Sequence, residues 1–187
     1  MKEIYLAGGC FWGLEAVMKR VMGVVETQVG YANSELENPT YEDVCTGKTG
    51  AVETVKVVYN PKRTDLTDIL RIFFLVINPY TLNRQGNDVG PQYRTGIYYT
   101  AAEDEPMLEY YMNFMQQRGR GPAITGSDII VNEEPDPMRG RKIVTELLPL
   151  RNFYPAEEEH QDYLAKNPQG YCHIDIAALR AEGIIGD

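Results

Sequence analysis

"EIYLAGGCFWGLEAVMKRVM" occupies residues 3–22. Its opening, "EIYLAGG", reads as a short apolar strand that breaks at Gly8-Gly9, and the apolar positions beyond it, Leu14, Val17, Met18, Val21 and Met22, recur at helical spacing. A strand therefore feeds a helix through a glycine turn that carries Cys10. Outward from this unit, "VVETQVGYA" (24–32) and "AVETVKVVY" (51–59) alternate as strands. "LTDILRIFFLVIN" reads as an apolar helix begun near Asp65 and stopped by Pro79. A second strand and helix follow in "YRTGIYYT" (93–100) and "AEDEPMLEYYMNFMQQR" (102–118), the latter with acidic residues where its dipole favours them, and "KIVTELLPL" (142–150) reads as a further strand. Strands alternating with helices, some of them neighbours with no helix between, predict an α+β fold: a ferredoxin-like two-layer sandwich with extended loops and an irregular C-terminal tail.

The 187 residues fit one domain, expected to span 1–187, with a real core. At 43% hydrophobic and 24% charged, the chain has an ordinary globular composition. Its formal net charge of −9 repels phosphate backbones and anionic lipid, and no dense Lys/Arg run reverses this locally, so neither nucleic acid nor a membrane surface is an expected partner. The apolar stretch after Lys2 ends at Gly8, too short for a signal-peptide core, and no window approaches the ~20 apolar residues of a membrane span. A cytoplasmic monomer is expected. Three cysteines argue against a disulfide framework and for reduced thiols that are buried or reactive. Two stretches lack regular pattern: 119–141, rich in Gly, Pro and charge, is expected as an exposed insertion, and 165–187, which carries Cys172, as a mobile tail.

A cysteine that opens a helix after a glycine turn faces free backbone N–H groups and the positive end of the helix dipole, which favours thiolate. The dipole supplies ~0.3–1 kcal/mol, at best ~2, or about one pKa unit, so another group has to help at neutral pH. The competing reading makes Cys10 a small buried hydrophobe. "EEEH", residues 157–160, contains metal-ligand types, but Pro155 marks a helix start where acidic residues belong and the spacing fits no common site, so no metal is expected. Asp88 follows the turn signal Gly86-Asn87, which alone accounts for an aspartate. Two further classes compete: a Cys-dependent hydrolase or peroxidase with His173 beside Cys172 as base, and a binding module whose thiols titrate near ~8.5. Nothing marks an oxyanion hole for the former.

"GGCFWG", "NPTYEDVCTGKTG", "LNRQGNDVGPQYR" and "FYPAEEEHQDYLAKNPQGYCHI" occur in that order and together resemble the peptide methionine sulfoxide reductases of the A type, over most of residues 4–174. The resemblance implies an α+β enzyme that reduces the S epimer of methionine sulfoxide, free or in proteins, with no bound cofactor or metal. It implies that Cys10 is the nucleophile, that Phe11 and Trp12 hold the substrate methyl, and that Glu53 is the acid beside the sulfoxide oxygen. Tyr41, Asp88 and Tyr93 complete the implied pocket, Cys172 is the implied resolving cysteine and Cys45 is not catalytic. A Cys10 sulfenic acid would condense with Cys172, and thioredoxin, or a dithiol in vitro, would reduce the resulting bridge. No cysteine follows Cys172, so the reductant is expected to attack that bridge directly.

The residue types suit this chemistry. A sulfoxide oxygen leaves only when protonated, so Glu53 must carry a proton at pH 7, which burial among apolar groups would secure. Two departures stand out. Where many relatives read Gly-His-Ala-Glu, this chain reads Gly50-Ala51-Val52-Glu53, keeping the acid without the imidazole, and 119–141 exceeds the usual helix-to-strand connection.

Overall fold

The computed structural model describes residues 1–117, 123–125, 128–130 and 141–187. Six strands form one sheet in the order β10-β2-β3-β1-β6-β9, where β1 is Lys2–Ala7, β2 Val24–Ala32, β3 Val52–Tyr59, β6 Gly96–Tyr99, β9 Glu146–Pro149 and β10 Phe153–Pro155. All pairings are antiparallel except β6 with β9. Helix α1, Phe11–Met18, links β1 to β2, and α3, Leu66–Val76, links β3 to β6. The unit β1-α1-β2-β3-α3-β6, with its sheet order 2-3-1-6, is the expected ferredoxin-like sandwich, extended by one strand at each edge.

Period-two alternation along β1 sends Ile4 and Leu6 to one face and Tyr5 and Ala7 to the other. The first face meets Leu14, Val17 and Met18 of α1 and Ile69, Leu70 and Phe73 of α3, forming the main core. On the second face Tyr5, Ala7, Ala32, Val52 and Tyr98 pack under Leu150 and Phe153, and Tyr5 meets Phe153 edge-on at 5.1 Å. Burial on both sides is why β1 reads as a nearly continuous apolar run. Glu53, one residue on from Val52, shares the helix face with Tyr31, its register partner on β2.

Asp65 caps α3 as expected, its side chain accepting from the Asp68 N–H at 2.9 Å. Elsewhere the periodicity overran the elements. The first helix ends at Met18, and Met22, expected on its apolar face, is exposed because the chain turns at Gly23 (φ +89°) into β2. The run 102–118 divides into a 3-10 turn at Ala102–Asp104 and helix α4, Glu105–Gln117, and Arg118 lies outside the described residues. Residues 142–145 precede β9 instead of extending it, because β6 offers only four residues to pair with; the Val144 N–H turns to the Pro79 carbonyl at 2.8 Å. Likewise Tyr93 belongs to a 3-10 turn, Pro91–Tyr93, ahead of β6.

Short elements escaped the sequence reading: helix α2, Tyr41–Cys45; the hairpin of β4, Arg84–Gln85, with β5, Asp88–Val89; β10; and helices α5, Tyr163–Lys166, and α6, Ile176–Ala181. Of the expected exposed insertion at 119–141, only Arg141 and the hairpin of β7, Ala123–Thr125, with β8, Asp128–Ile130, lie within the described residues. The chain from Ala165 onward runs along α1, buries Ile185 and joins the Gly186 N–H to the Arg20 carbonyl at 3.0 Å. Among the described residues no helix is long and apolar enough to cross a membrane.

Leu70, fully buried between α3 and the sheet, tests this packing. Leu70→Ala is expected to cost about 2–5 kcal/mol through lost burial and a residual cavity. Urea unfolding should show a lower midpoint at unchanged slope.

Candidate active site

Two glycines end β1 because other parts of the chain press against them. A Cβ at Gly8 would lie 2.5 Å from Ile77 Cγ2, and one at Gly9, whose φ is +80°, would lie 2.7 Å from Gln85 Cβ. Cys10 follows as the N-cap of α1 with non-helical φ −57° and ψ 124°. It is 7% exposed. Burial pushes its thiol well above the ordinary range, the Glu53 charge pushes it further, the Trp12 backbone N–H favours the thiolate, and Asp88 and Cys172 add to the rise. Desolvation is the largest cause and outweighs the one N–H at the helix start, so the thiol rather than the expected thiolate is favoured.

Glu53 is 1% exposed and its Oε1 accepts the Phe11 backbone N–H at 3.2 Å. Its Oε2 is buried with no hydrogen-bond partner among the described residues. Burial raises its pKa to about 8, against the Phe11 N–H, with Asp88 adding to the rise. At neutral pH this carboxyl is largely protonated, which also relieves its repulsion of the Cys10 sulfur, and the two groups titrate as a pair.

A second layer holds the aromatic groups. Thr40 and Asp43 form a capping box that starts α2 at Tyr41. Glu157 accepts the Tyr31 hydroxyl on Oε1 at 2.9 Å and the Tyr41 N–H on Oε2 at 3.1 Å, tying α2 to the sheet. Burial works against the Glu157 charge, but its own backbone N–H, the Tyr31 hydroxyl and the Tyr41 N–H hold its pKa below the usual range. Trp12 stacks on Tyr163 at 3.7 Å and donates its indole N–H to His160 Nδ1 at 3.2 Å. The His160 ring also lies 4.4 Å from Tyr41 and 5.7 Å from Phe11. His160 is thus the common support of Phe11, Trp12 and Tyr41, a role the sequence reading missed.

One ligand atom each from Glu157, Glu159 and His160 lies within 4.8 Å of the others. The donor set fits a cation poorly. Because His160 Nδ1 accepts from Trp12, the neutral ring carries its proton on Nε2, the nitrogen 3.7 Å from Glu159 Oε1, and a protonated nitrogen has no lone pair to give. Both Glu157 oxygens are already hydrogen-bonded.

Asp88 stands on β5, in a hairpin braced by the buried Gln85 amide, which bonds the Asn78 N–H at 2.8 Å and the Asn78 carbonyl at 2.7 Å. Asp88 Oδ2 accepts the Tyr171 hydroxyl at 3.0 Å. Tyr93 feels burial first, then the charges of Glu53, Cys45, Asp88 and Cys10, and its hydroxyl, like that of Tyr41, is pushed up by burial and Glu53 so that both remain donors. Cys172 is half-buried against α1, where its Sγ lies 3.0 Å from the position a Cβ would take at Gly13, and its thiol donates to the Ile174 carbonyl at 3.2 Å. Cys45 is exposed at the end of α2, and Ala51 is buried in the core. The structure thus gathers Cys10, Phe11, Trp12, Tyr41, Glu53, Asp88, Tyr93 and Cys172 at one end of α1.

Two measurements check this geometry. Glu53 has a folded pKa above its unfolded value, so its contribution to stability is full below about pH 4.5, declines as pH rises and is lost through about pH 8. Glu53→Gln should flatten that part of the stability profile, as read by urea unfolding between pH 5 and 8.5. Gly13→Ala should press on the Cys172 sulfur and speed its alkylation, while Tm holds or rises because Ala suits a helix interior better by roughly 0.5–1 kcal/mol.

A sequence model of the family described as "Peptide methionine sulfoxide reductase" matches residues 2–184. Peptide methionine sulfoxide reductase MsrA of Clostridium perfringens (strain SM101 / Type A) is 49% identical over 176 residues, 94% of this chain and 99% of the relative. The crystal structure of Mxr1 from Saccharomyces cerevisiae in reduced form superposes with a TM-score of 0.77 at 37% identity, covering 91% of this chain and 88% of that one. A further structure, Mxr1 in complex with Trx2, matches with a TM-score of 0.54 at 26% identity, over 87% of this chain and 84% of that one. A glycine-hinged cysteine, a buried neutral carboxyl and an aromatic box on this sheet, with a family match over almost the whole chain, place the protein in the peptide methionine sulfoxide reductase family.

Proposed function

We propose that the chain reduces the S epimer of methionine sulfoxide, free or in proteins, through a Cys10 sulfenic acid and a Cys10–Cys172 disulfide that thioredoxin reduces. The observation that carries this reading is Glu53: a buried carboxyl, protonated at neutral pH, with one oxygen held by Phe11 and the other unpartnered among the described residues. Such a group is a proton donor in need of an acceptor, and a sulfoxide oxygen is one. Glu53 gives its proton to that oxygen as the Cys10 sulfur attacks, and the Cys10 thiol proton returns to the Glu53 carboxylate. The products are methionine and Cys10 sulfenic acid, and the raised thiol pKa is no obstacle because the pair holds its protons in common.

Selectivity divides between two kinds of contact. Enclosing the substrate methyl on the Phe11 and Trp12 rings is worth ~0.8 kcal/mol, which orients the substrate more than it binds it. Hydrogen bonds from Tyr41 and Tyr93 to the developing charge on oxygen are worth ~1.5–3 kcal/mol and exist only for the sulfoxide, so they separate substrate from product. The methyl pocket, the oxygen donors and the approach of the Cys10 sulfur together fix three directions at the substrate sulfur, which is the requirement for choosing one epimer.

Cys172 then condenses with the sulfenic acid. A disulfide needs Cα atoms ~4.4–6.8 Å apart, and the turn at 168–170 is the hinge that lets the tail bring Cys172, which lies beside Gly13, to Cys10. Thioredoxin as reductant is supported by the relative crystallised with Trx2. Separated epimers with thioredoxin test the reading: methionine should form from the S epimer only, and equal reduction of both, or of neither, overturns it. Glu53→Gln should slow the single-turnover rate by about 10²–10⁴-fold. In the wild type that rate should fall as pH rises through about 8, where Glu53 loses its proton.

A further inference from the structure

We infer that His173 is the proton relay of the disulfide-forming step, taking the proton of the Cys172 thiol and passing it to the hydroxyl that leaves Cys10. The inference rests on the assignment of Cys10 as nucleophile and Cys172 as resolving thiol. It concerns a residue whose only apparent distinction in sequence is its place beside Cys172.

The His173 ring lies where three glycines open a space for it. A Cβ at Gly9 would come within 3.2 Å of His173 Nε2, one at Gly13 within 3.7 Å of Nδ1, and one at Gly86 within 3.9 Å of His173 Cβ. The same Gly13 position lies 3.0 Å from Cys172 Sγ. Nδ1 and the Cys172 sulfur therefore converge on one point of α1, while Nε2 sits against Gly9, the residue that precedes Cys10. The imidazole therefore lies beside both the point on α1 that the Cys172 sulfur approaches and the residue that precedes Cys10.

Both ring nitrogens are buried, and neither closes a hydrogen bond with any of the described residues. The Gly8 carbonyl is near enough to favour the charged ring but does not meet it in hydrogen-bonding geometry. A histidine kept for packing alone would spend its N–H on a fixed acceptor, as His160 spends Nδ1 on Trp12. The charge that bears on the ring is that of Asp88 on β5. Burial lowers the His173 pKa, against the opposing charge of Asp88, so the ring is neutral at pH 7 and able to accept a proton. Asp88 is a weaker candidate for the same task because its Oδ2 is engaged by Tyr171. Cys172 needs a base, since burial raises its own pKa.

The step balances without an outside reagent. The Cys172 sulfur bonds to the Cys10 sulfur as the Cys10 S–O bond breaks; Cys172 is oxidised and Cys10 is reduced from sulfenic acid to disulfide. The Cys172 proton moves to the imidazole and from there to the departing hydroxide, which leaves as water.

The test mixes the full chain with the S epimer of methionine sulfoxide in the absence of reductant. Methionine, the Cys10 sulfenic acid trapped by dimedone and the disulfide are followed in quenched samples. In His173→Ala and His173→Asn the disulfide should form about 10²-fold more slowly, the low end of general-base effects, while Cys10 sulfenic acid accumulates after a normal first burst of methionine. The Asn variant, which keeps polar bulk in the space, carries the test if the Ala variant does not fold. Free imidazole should restore the rate in His173→Ala in proportion to its neutral fraction, a response that lost packing alone would not give. Disulfide formation at the wild-type rate in both variants overturns the relay, as does a slow rate with an unaltered pH profile and no imidazole rescue. Cys172→Ser separates the two levels: if it still cycles fully with thioredoxin, the resolving assignment itself fails, and the relay with it.

Discussion

The hydrogen bond from the Phe11 N–H to Glu53 Oε1 joins the first turn of α1 to the third strand, and the chemistry of the site depends on it. A carboxylate taken fully out of water costs several kcal/mol unless a cation meets it, and the groups that shift Glu53 include no cation. The chain settles the cost by keeping the group neutral. A neutral carboxyl needs one donor and one acceptor; the backbone supplies the donor and the described residues leave the acceptor open. That imperfection is stable only because the surrounding sheet and helix are over-determined by packing: Tyr31, Phe11, Val55 and Leu14 are all fully buried nearby in the main core.

The same constraint decides the state of Cys10. A helix dipole offers about 2 kcal/mol at most, and here it acts on the sulfur through one backbone N–H, from Trp12. Against it stand desolvation, the largest cause, and the charge of Asp88. The outcome is a site that favours protonated groups over a standing thiolate, and in the proposed reaction the proton that the carboxyl gives is replaced from the thiol. A free thiolate would be the better nucleophile toward any electrophile that reached it, oxidants included. A thiol that ionises only as its substrate takes a proton is selective by construction.

The longer elements were legible because they repeat. Nine residues of β2 and eight of β3 give enough alternation to place both within a residue, and α3 declares itself through Asp65 and a clear apolar stripe. A two-residue strand has no period, so the β4–β5 hairpin that carries Asp88 was invisible as structure and visible only as a turn signal. Helix α2 is five residues long, and its one local mark is the Thr40–Asp43 capping box. The catalytic candidates lay in motifs and could be read by resemblance. His160 could not, because what it does is accept a hydrogen bond from an indole 148 positions earlier. Glu157 is similar: its oxygens serve Tyr31 and Tyr41, residues joined to it only by the fold.

The glycines of "GGCFWG" then take on a meaning beyond a flexible turn. Gly8 makes room for Ile77 at the end of α3, Gly9 for Gln85 and His173, and Gly13 for Cys172. Three separate parts of the chain reach the flanks of Cys10 through three missing side chains. Only Gly9 also needs its glycine for backbone reasons, at φ +80°. Gly13 sits within a helix, where alanine would be better by propensity, so its cost is set against the approach of the Cys172 sulfur to α1. The spacing Gly-Gly-Cys-x-x-Gly is thus a packing code: it leaves Cys10 followed by two aromatic rings and flanked by glycines that the tail approaches. The Cys172 sulfur rests against Gly13, three residues along the chain from Cys10, before any chemistry brings the two sulfurs together.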